Sequence, residues 1–336
     1  MNEAQKISCP ECEPRTDGLD RRTFIAVGMM AVGGAAGFKT PGLFADEPAP
    51  APARQAKPAE AMIQELYGTL TNDQKTNVVL PWNDPRRHGM FNAAFGRTIT
   101  ASYTPAQREL VERILRSISS GDDGYSKLTR NGTFDGSGSF GNCGAYIFGD
   151  PTNGQQYAWV FCGHHITVRC DGNSQPDAAF GGPMYYGHSP DGYSQRNCFF
   201  YQTRAVLSVF DALNERQRTQ AIVIGSPGEQ AESIRFRAAG QAHPGIAASE
   251  LTADQRRLVE TVMREVLSPY RREDADEVMQ IVRRNGGMER IHLAFYRDRG
   301  GDEDTRWHFW RLEGPGFVWN YRVLPHVHTF VNIAAV

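Results

Sequence analysis

The chain resembles itself, in order, three times. Leu70-Thr-Asn-Asp-Gln74-Lys-Thr-Asn-Val-Val-Leu80 matches Leu213-Asn-Glu-Arg-Gln217-Arg-Thr-Gln-Ala-Ile-Val223 in its leucine, glutamine, basic residue, threonine, amide and apolar tail. Thr104-Pro-Ala-Gln107-Arg-Glu-Leu-Val-Glu112 aligns with Thr252-Ala-Asp-Gln255-Arg-Arg-Leu-Val-Glu260, and Trp159-x-Phe-x-Gly163-x-x-Ile-x-Val aligns with Trp310-x-Leu-x-Gly314-x-x-Phe-x-Trp. The separations are 143, 148 and 151 residues, the slow drift left by duplication and small insertions. Thr or Asn three residues before Gln is also a capping-box signature, because each side chain satisfies an orphan N–H at a helix start. Capping by itself explains the glutamines but not three matches in the same order. Two halves follow, about 62–172 and 205–324, related by a pseudo-twofold axis within one domain spanning 62–336. Each is long enough to share one core or to form a close-packed lobe.

Each half reads as helix, helix, β-hairpin. Leu110, Val111, Ile114 and Leu115 recur at helical spacing, as do Leu258, Val259, Val262, Met263 and Val266. Tyr146-Ile-Phe148 and an apolar strand over 156–170 flank the turn-rich Gly149 to Gly154, and Leu293 to Tyr296 and 306–313 flank Asp298 to Asp304 in the same way. The fold class expected is α+β, with antiparallel sheet packed against helices. Gly121 to Gly141 and Gly172 to Gly192 read as long loops, the second without a secondary-structure pattern, and such loops are often lids or binding loops.

Composition narrows the partners. With 36 Lys+Arg against 38 Asp+Glu there is no basic excess to neutralise phosphates, which argues against nucleic acid. No run long and apolar enough to span a membrane is expected in the mature protein. Asp20-Arg21-Arg22-Thr23-Phe24-Ile25, followed by the small apolar stretch Ala26 to Gly37, resembles a twin-arginine export signal, with cleavage expected near Ala45. Residues 1–45 then read as signal and 46–61 as a Pro/Ala-rich linker, which makes the twin-arginine machinery a partner and the location periplasmic or extracellular. Cys9 and Cys12 would leave with the signal. Cys143, Cys162, Cys170 and Cys198 remain, an even number in an oxidising compartment, which predicts two disulfides. On one continuous strand Cys162 and Cys170 share a face and stand roughly 26 Å apart, too far to pair. The pairings left are 143–162 with 170–198, or 143–170 with 162–198; thiolate metal ligation is the alternative.

The histidines carry the chemistry. Gly163-His164-His165-Ile166 lies in the apolar strand, in a chain with nine histidines. Strand alternation puts His164 with Cys162 on one face and His165 with Phe161 on the other, unless a bulge at Gly163 intervenes. Arg322 to Ile333 reads as a further strand with Val323, Val327, Val331 and Ile333 on one face and His326 and His328 on the other, Pro325 marking an edge or a strand start. An H-x-H on a strand points both imidazoles the same way, the arrangement that three-histidine zinc and copper sites use. The second half has Gly314-Pro315-Gly316 where the first has Gly163-His164-His165, so the scaffold does not require histidine there. The expected metal ligands are therefore His165, His326 and His328, with His164 a ligand or a neighbour behind them. Asn142, His188, His292, Glu313 and Asn320 are available as further ligands or supports. His88, His243 and His308 read as loop, turn and stacking residues, and Cys162 beside His164 is a remote nucleophile candidate. No G-x-S-x-G, H-E-x-x-H or P-loop motif appears.

Pro81-Trp-Asn-Asp-Pro-Arg-Arg, Tyr103-Thr-Pro-Ala-Gln, the Gly-His-His-Ile segment, and Gly314-Pro-Gly followed by His326-Val-His328-Thr resemble the family called domain of unknown function 3500. The resemblance covers nearly all of 62–334 and implies an architecture and a histidine pattern but no reaction. It also leads one to expect acidic residues near Asn320. Two functional classes stand: a metal-binding exported protein, a zinc or copper hydrolase or oxidoreductase of unknown small-molecule substrate, or a non-catalytic extracytoplasmic protein with core histidines.

Overall fold

The computed structural model describes residues 58–336 apart from 153, 230, 239 and 298–306. The export leader, Cys9, Cys12 and most of the linker lie outside the described residues. Helices α1 (Pro58–Thr69) and α2 (Asn72–Val78) lead into the short strand β1 (Val79–Leu80). Helices α3 (Ile99–Ser102), α4 (Pro105–Ser117) and α5 (Gly121–Thr129) precede β2 (Gly144–Gly149), β3 (Tyr157–Gly163), β4 (Ile166–Cys170) and β5 (Met184–His188). Then come α6 (Phe200–Ala212), α7 (Glu215–Ala221), β6 (Ile222–Ile224), β7 (Ile246–Ala247), α8 (Ala253–Leu267) and α9 (Arg272–Arg284). Strands β8 (His292–Arg297), β9 (Phe309–Gly314), β10 (Phe317–Arg322) and β11 (Val327–Ile333) close the chain. None of these helices is long and apolar enough to cross a membrane.

All eleven strands join one mixed, mostly antiparallel sheet of order β1-β2-β3-β4-β5-β11-β10-β9-β8-β6, with β7 on β8. The order reads alike from both edges. Each edge strand follows a helix and runs parallel to the first strand of a hairpin, Val79 opposite Ile147 at one end and Ile222 opposite Phe295 at the other. β5 and β11 pair at the middle of this order, where Met184 stands opposite Val331.

Capping boxes start α2, α4, α7 and α8, at Thr71, Thr104, Asn214 and Thr252. Their glutamines do more than cap. Gln74 donates to Gln107 at 2.7 Å and to the Ser102 carbonyl at 2.9 Å, while Gln107 donates to the Thr69 carbonyl at 3.0 Å. Gln217 donates to Gln255 at 3.0 Å and to the Glu250 carbonyl at 3.1 Å, while Gln255 donates to the Ala212 carbonyl at 2.7 Å. Each pair thus locks two helix starts together with amides that are satisfied although largely buried.

The helices pack on one face of the sheet. The stripes of α4 and α8 meet Trp159, Phe161, Trp310, Leu312, Trp319 and Val331 in the main core. Among the described residues, no α-helix contributes to the core on the other face. There Phe91 and Phe95 pack on Tyr146, Phe148 and Val160, and Met90 and Ile234 pack on Tyr185, Val318 and Phe330. Segments 81–98 and 226–247, which follow the two edge strands, supply those covering residues.

Three expectations are corrected. The apolar run 156–170 is two strands, β3 and β4, paired antiparallel with Gly163 opposite Ile166 and His164-His165 as the turn between them. Both strands are buried along their whole length, so neither shows the alternation that would reveal a reversal. The assignment of His164 and His165 to opposite faces of one strand falls with it. The reversal also separates the thiols: Cys162 joins the loop-covered face, while Cys143 and Cys170 lie on the helix side. All four cysteines are free, and neither expected disulfide pattern is present. The Cys170 sulfur donates instead to Glu60, at 3.4 Å. Finally, the two Gly-rich stretches are not plain loops, since Gly121 opens α5 and Gly172 to Gly192 contains β5, a central strand of the sheet.

Candidate metal centre

His165 occupies the left-handed region at φ +59°, where histidine is among the more tolerant non-glycine residues. Its N–H donates to the Asn92 side chain at 2.7 Å, and its carbonyl accepts from Gly187 of β5 at 3.0 Å. Gly187 in turn stands opposite His328 of β11. Glycine is required at that crossing. A Cβ there would come within 2.9 Å of the His328 ring, 3.5 Å of the His165 ring and 2.4 Å of the Val327 carbonyl. Over this gap the two imidazoles approach, joined by His326 from the residue just before β11.

The three rings meet through Nε2. His326 Nε2 lies 3.1 Å from His165 Nε2 and 3.0 Å from His328 Nε2. All three side chains are buried, with His165 fully inaccessible. The far nitrogens face carboxylates: His165 Nδ1 is 2.8 Å from Asp135 and His328 Nδ1 is 3.0 Å from Glu229. A carboxylate accepts, so each Nδ1 carries a proton, and in the neutral ring each Nε2 presents its lone pair to the common focus.

Those carboxylates are themselves held. Asp135 also bonds His188 Nδ1 at 2.9 Å and pairs with the buried Arg130 at 3.3 Å. Burial would raise its pKa, but the hydrogen bonds from His165 and His188, with the Arg130 charge, bring it well below the usual carboxylate range. Glu229 binds Arg322 at 2.5 Å, and its pKa is raised because burial outweighs the Arg322 and His326 contributions. Burial lowers the pKa of His165 to about 2 against the opposing pull of Asp135, which keeps the ring neutral. Arg322 also donates to the His326 carbonyl at 3.1 Å, fixing the strand entry that presents the H-x-H pair.

A family model described as protein of unknown function (DUF3500) matches residues 53–333. The chain belongs to the DUF3500 family. No curated protein and no solved structure matches it. Family membership gives the chain no reaction.

In this DUF3500 chain the three histidines expected to act together do come together, and their ligand atoms form a group that can hold a metal ion. A zinc–nitrogen bond of about 2.0–2.1 Å puts tetrahedral ligands roughly 3.3 Å apart, close to the two separations from His326 Nε2. Three imidazole nitrogens converging on one point are a donor set that a transition-metal ion accepts. Asp135, His164 and His165 form a second possible group. There, however, His165 Nδ1 is engaged by Asp135, and His164 Nδ1 accepts from the Gly136 N–H at 2.9 Å. His164 therefore ties down the loop that carries Asp135, with its ring 3.9 Å from that of His165.

His188 joins the site through Asp135. Asn142 donates to the Ser137 carbonyl, and Glu313, His292 and Asn320 lie on other strands, apart from the histidine group. The carboxylates come not from the neighbourhood of Asn320 but from Asp135 and Glu229, which the sequence reading missed. Each sits beside glycine in a Gly-rich segment, the one local hint available. Cys162 does not look like a nucleophile, since burial pushes its thiol up to about 12.

Proposed function

We propose that this protein binds one transition-metal ion, zinc or copper, through Nε2 of His165, His326 and His328. The observation that carries the reading is the convergence of three imidazole nitrogens, two of the rings backed by carboxylates, as in carboxylate–histidine–metal triads. Three protein ligands correspond to the catalytic class of such sites, which keep a position for a further ligand. Zinc would supply Lewis acidity for hydrolysis and copper a redox couple, so the class of activity is hydrolase or oxidoreductase. Asp135 and Glu229 set the tautomers of His165 and His328, Arg322 and His164 position the segments that carry the site, and Gly187 leaves the space in which the rings meet.

The Arg21-Arg22 signal supports export of the protein, already folded, to the periplasm or beyond. Internal duplication underlies the site's asymmetry. The matched glutamine pairs and the shared strand registers support that origin, and Gly316 (φ +70°) at the place of His165 supports specialisation of one copy.

Elemental analysis of the exported protein tests the reading. We expect about one equivalent of zinc or copper, falling to background in His326→Ala and His328→Ala. Sub-stoichiometric metal indifferent to both substitutions would leave three hydrogen-bonded core histidines in a non-catalytic protein.

A further inference from the structure

A second group of buried polar side chains lies under the 226–247 segment, on the loop-covered face of β8, β9 and β10. Asn320 stands directly opposite Arg311, and Glu313 directly opposite His292. Alternation sends their neighbours Trp319, Tyr321, Trp310 and Leu312 into the helix-side core, so these four polar side chains share the other face. From the covering segment Arg237 reaches Glu313 Oε1 at 2.7 Å, where Arg311 also binds at 3.1 Å, and His243 stacks on His292 with ring centroids 4.9 Å apart.

Six further polar atoms make no hydrogen bond, although His243 Nδ1 stands 4.0 Å from Glu313 Oε1. Both amide atoms of Asn320, Arg311 Nε, Glu313 Oε2, and Nδ1 of His243 and His292 are buried without a hydrogen bond among the described residues. Asn320 and Glu313 are each only 1% exposed. A buried polar atom left unsatisfied loses its hydration without compensation, so six in one place call for an occupant. The first half shows what a filled version looks like. Arg169 opposite Val160 holds the register place that Asn320 opposite Arg311 holds here. Its guanidinium donates to the carbonyls of Pro183, Arg87 and Gly89, closing the space beneath segment 81–98. Asn320 is too short to do the same, and Ala294, opposite Arg311, leaves the floor low.

We propose that this patch is a ligand site, separate from the histidine centre, for a small monoanion that also carries a hydroxyl, such as a short hydroxycarboxylate. Two guanidiniums share one carboxylate, which leaves one positive charge for the anion. The Asn320 amide and Arg311 Nε supply donors for the ligand carboxylate, and Glu313 Oε2 or the Asn320 carbonyl oxygen accepts from its hydroxyl. Burial lowers the pKa of both His243 and His292, so the imidazoles complete the wall as neutral rings. Entry lies past Arg237, whose side chain is 34% exposed.

Glycolate, acetate and ethylene glycol, titrated into the full protein and followed by thermal unfolding and calorimetry, test the assignment. We expect glycolate to raise Tm saturably by about 2–5 °C, acetate to act more weakly, and ethylene glycol to have no effect. Asn320→Leu removes the orphaned amide at similar volume; it should fold at least as stably as the parent and lose the glycolate response. Arg311→Met should weaken binding at least tenfold, while His328→Ala, which disables the metal centre, should leave the response intact. No response in the parent protein would mean that the patch holds water only, and a response that survives Asn320→Leu and Arg311→Met would place the ligand elsewhere. Either result overturns the assignment.

Discussion

The β3–β4 and β9–β10 turns share a register, with Gly163 opposite Ile166 in one and Gly314 opposite Phe317 in the other. Both need a left-handed residue, at φ +59° for His165 and +70° for Gly316. What surrounds them differs. A Cβ on Gly316 would strike the Ala334 carbonyl at 2.2 Å and Asn285 at 2.6 Å, so that turn admits only glycine. The His165 turn is met instead by Asn92, Asp135 and the gap over Gly187, which receive a ring and orient it. Similar backbones thus give different chemistry, because the covering segments and the neighbouring strand decide whether a side chain has somewhere to go.

The same lesson holds three residues further along β4 and β10 from Ile166 and Phe317, at Arg169 and Asn320. Burial lowers the pKa of Arg169 to about 9, yet three carbonyls accept from its guanidinium. Arg169→Met should therefore destabilise the protein by about 3–5 kcal/mol in chemical denaturation, since it orphans those carbonyls as well as losing the bonds. A loss under about 1 kcal/mol would remove the contrast with Asn320.

Smaller effects are expected behind the histidines. Asp135→Asn and Glu229→Gln should weaken metal binding about 10–100-fold in competition with a chromogenic chelator, with folding retained. The Asp135 change should be the larger, because that carboxylate also holds His188 and Arg130. Equal affinity in parent and variants would disconnect the carboxylates from the centre.

The gentlest test is pH. In chelator-treated protein the folded state keeps His165 neutral down to about 2, whereas the unfolded chain takes up a proton near pH 6.5. The unfolded state binds more protons in that window, so stability should fall as pH drops below about 6.5. Asp135, with its lowered pKa, adds a loss of the same sign below about pH 4. His165→Asn, which tolerates the left-handed backbone, should flatten the upper part of the curve in denaturation measured across pH. An unchanged profile would show that His165 is not held neutral by its surroundings.

Much of the scaffold was legible in the residues. Gln74, Gln107, Gln217 and Gln255 announced helix starts because a capping box is a local bargain between atoms three residues apart. The apolar stripes of α4 and α8 gave their buried faces, and the H-x-H before Thr329 pointed to His165. The turn at His164-His165 was hidden because β3 and β4 are buried on both faces, so hydrophobicity runs through the reversal without a break. Strand β5 was hidden for a related reason: Met184 to His188 is short, bracketed by Gly182-Pro183 and Pro190, and takes its strand character from β4 and β11 on either side.

By itself the sequence determined where helices begin, which side chains are apolar, and which histidines are worth watching, since these depend on neighbours a few residues away. Only the tertiary structure decided that His165 meets His326 and His328 across Gly187, that Asp135 and Glu229 stand behind two of the three rings, that four cysteines stay thiols, and that Asn320 faces a polar patch where Arg169 fills its own. Each of those facts depends on which strand lies beside which and which loop covers it, and the spacing of residues along a chain does not encode distances between segments that meet only when the sheet closes.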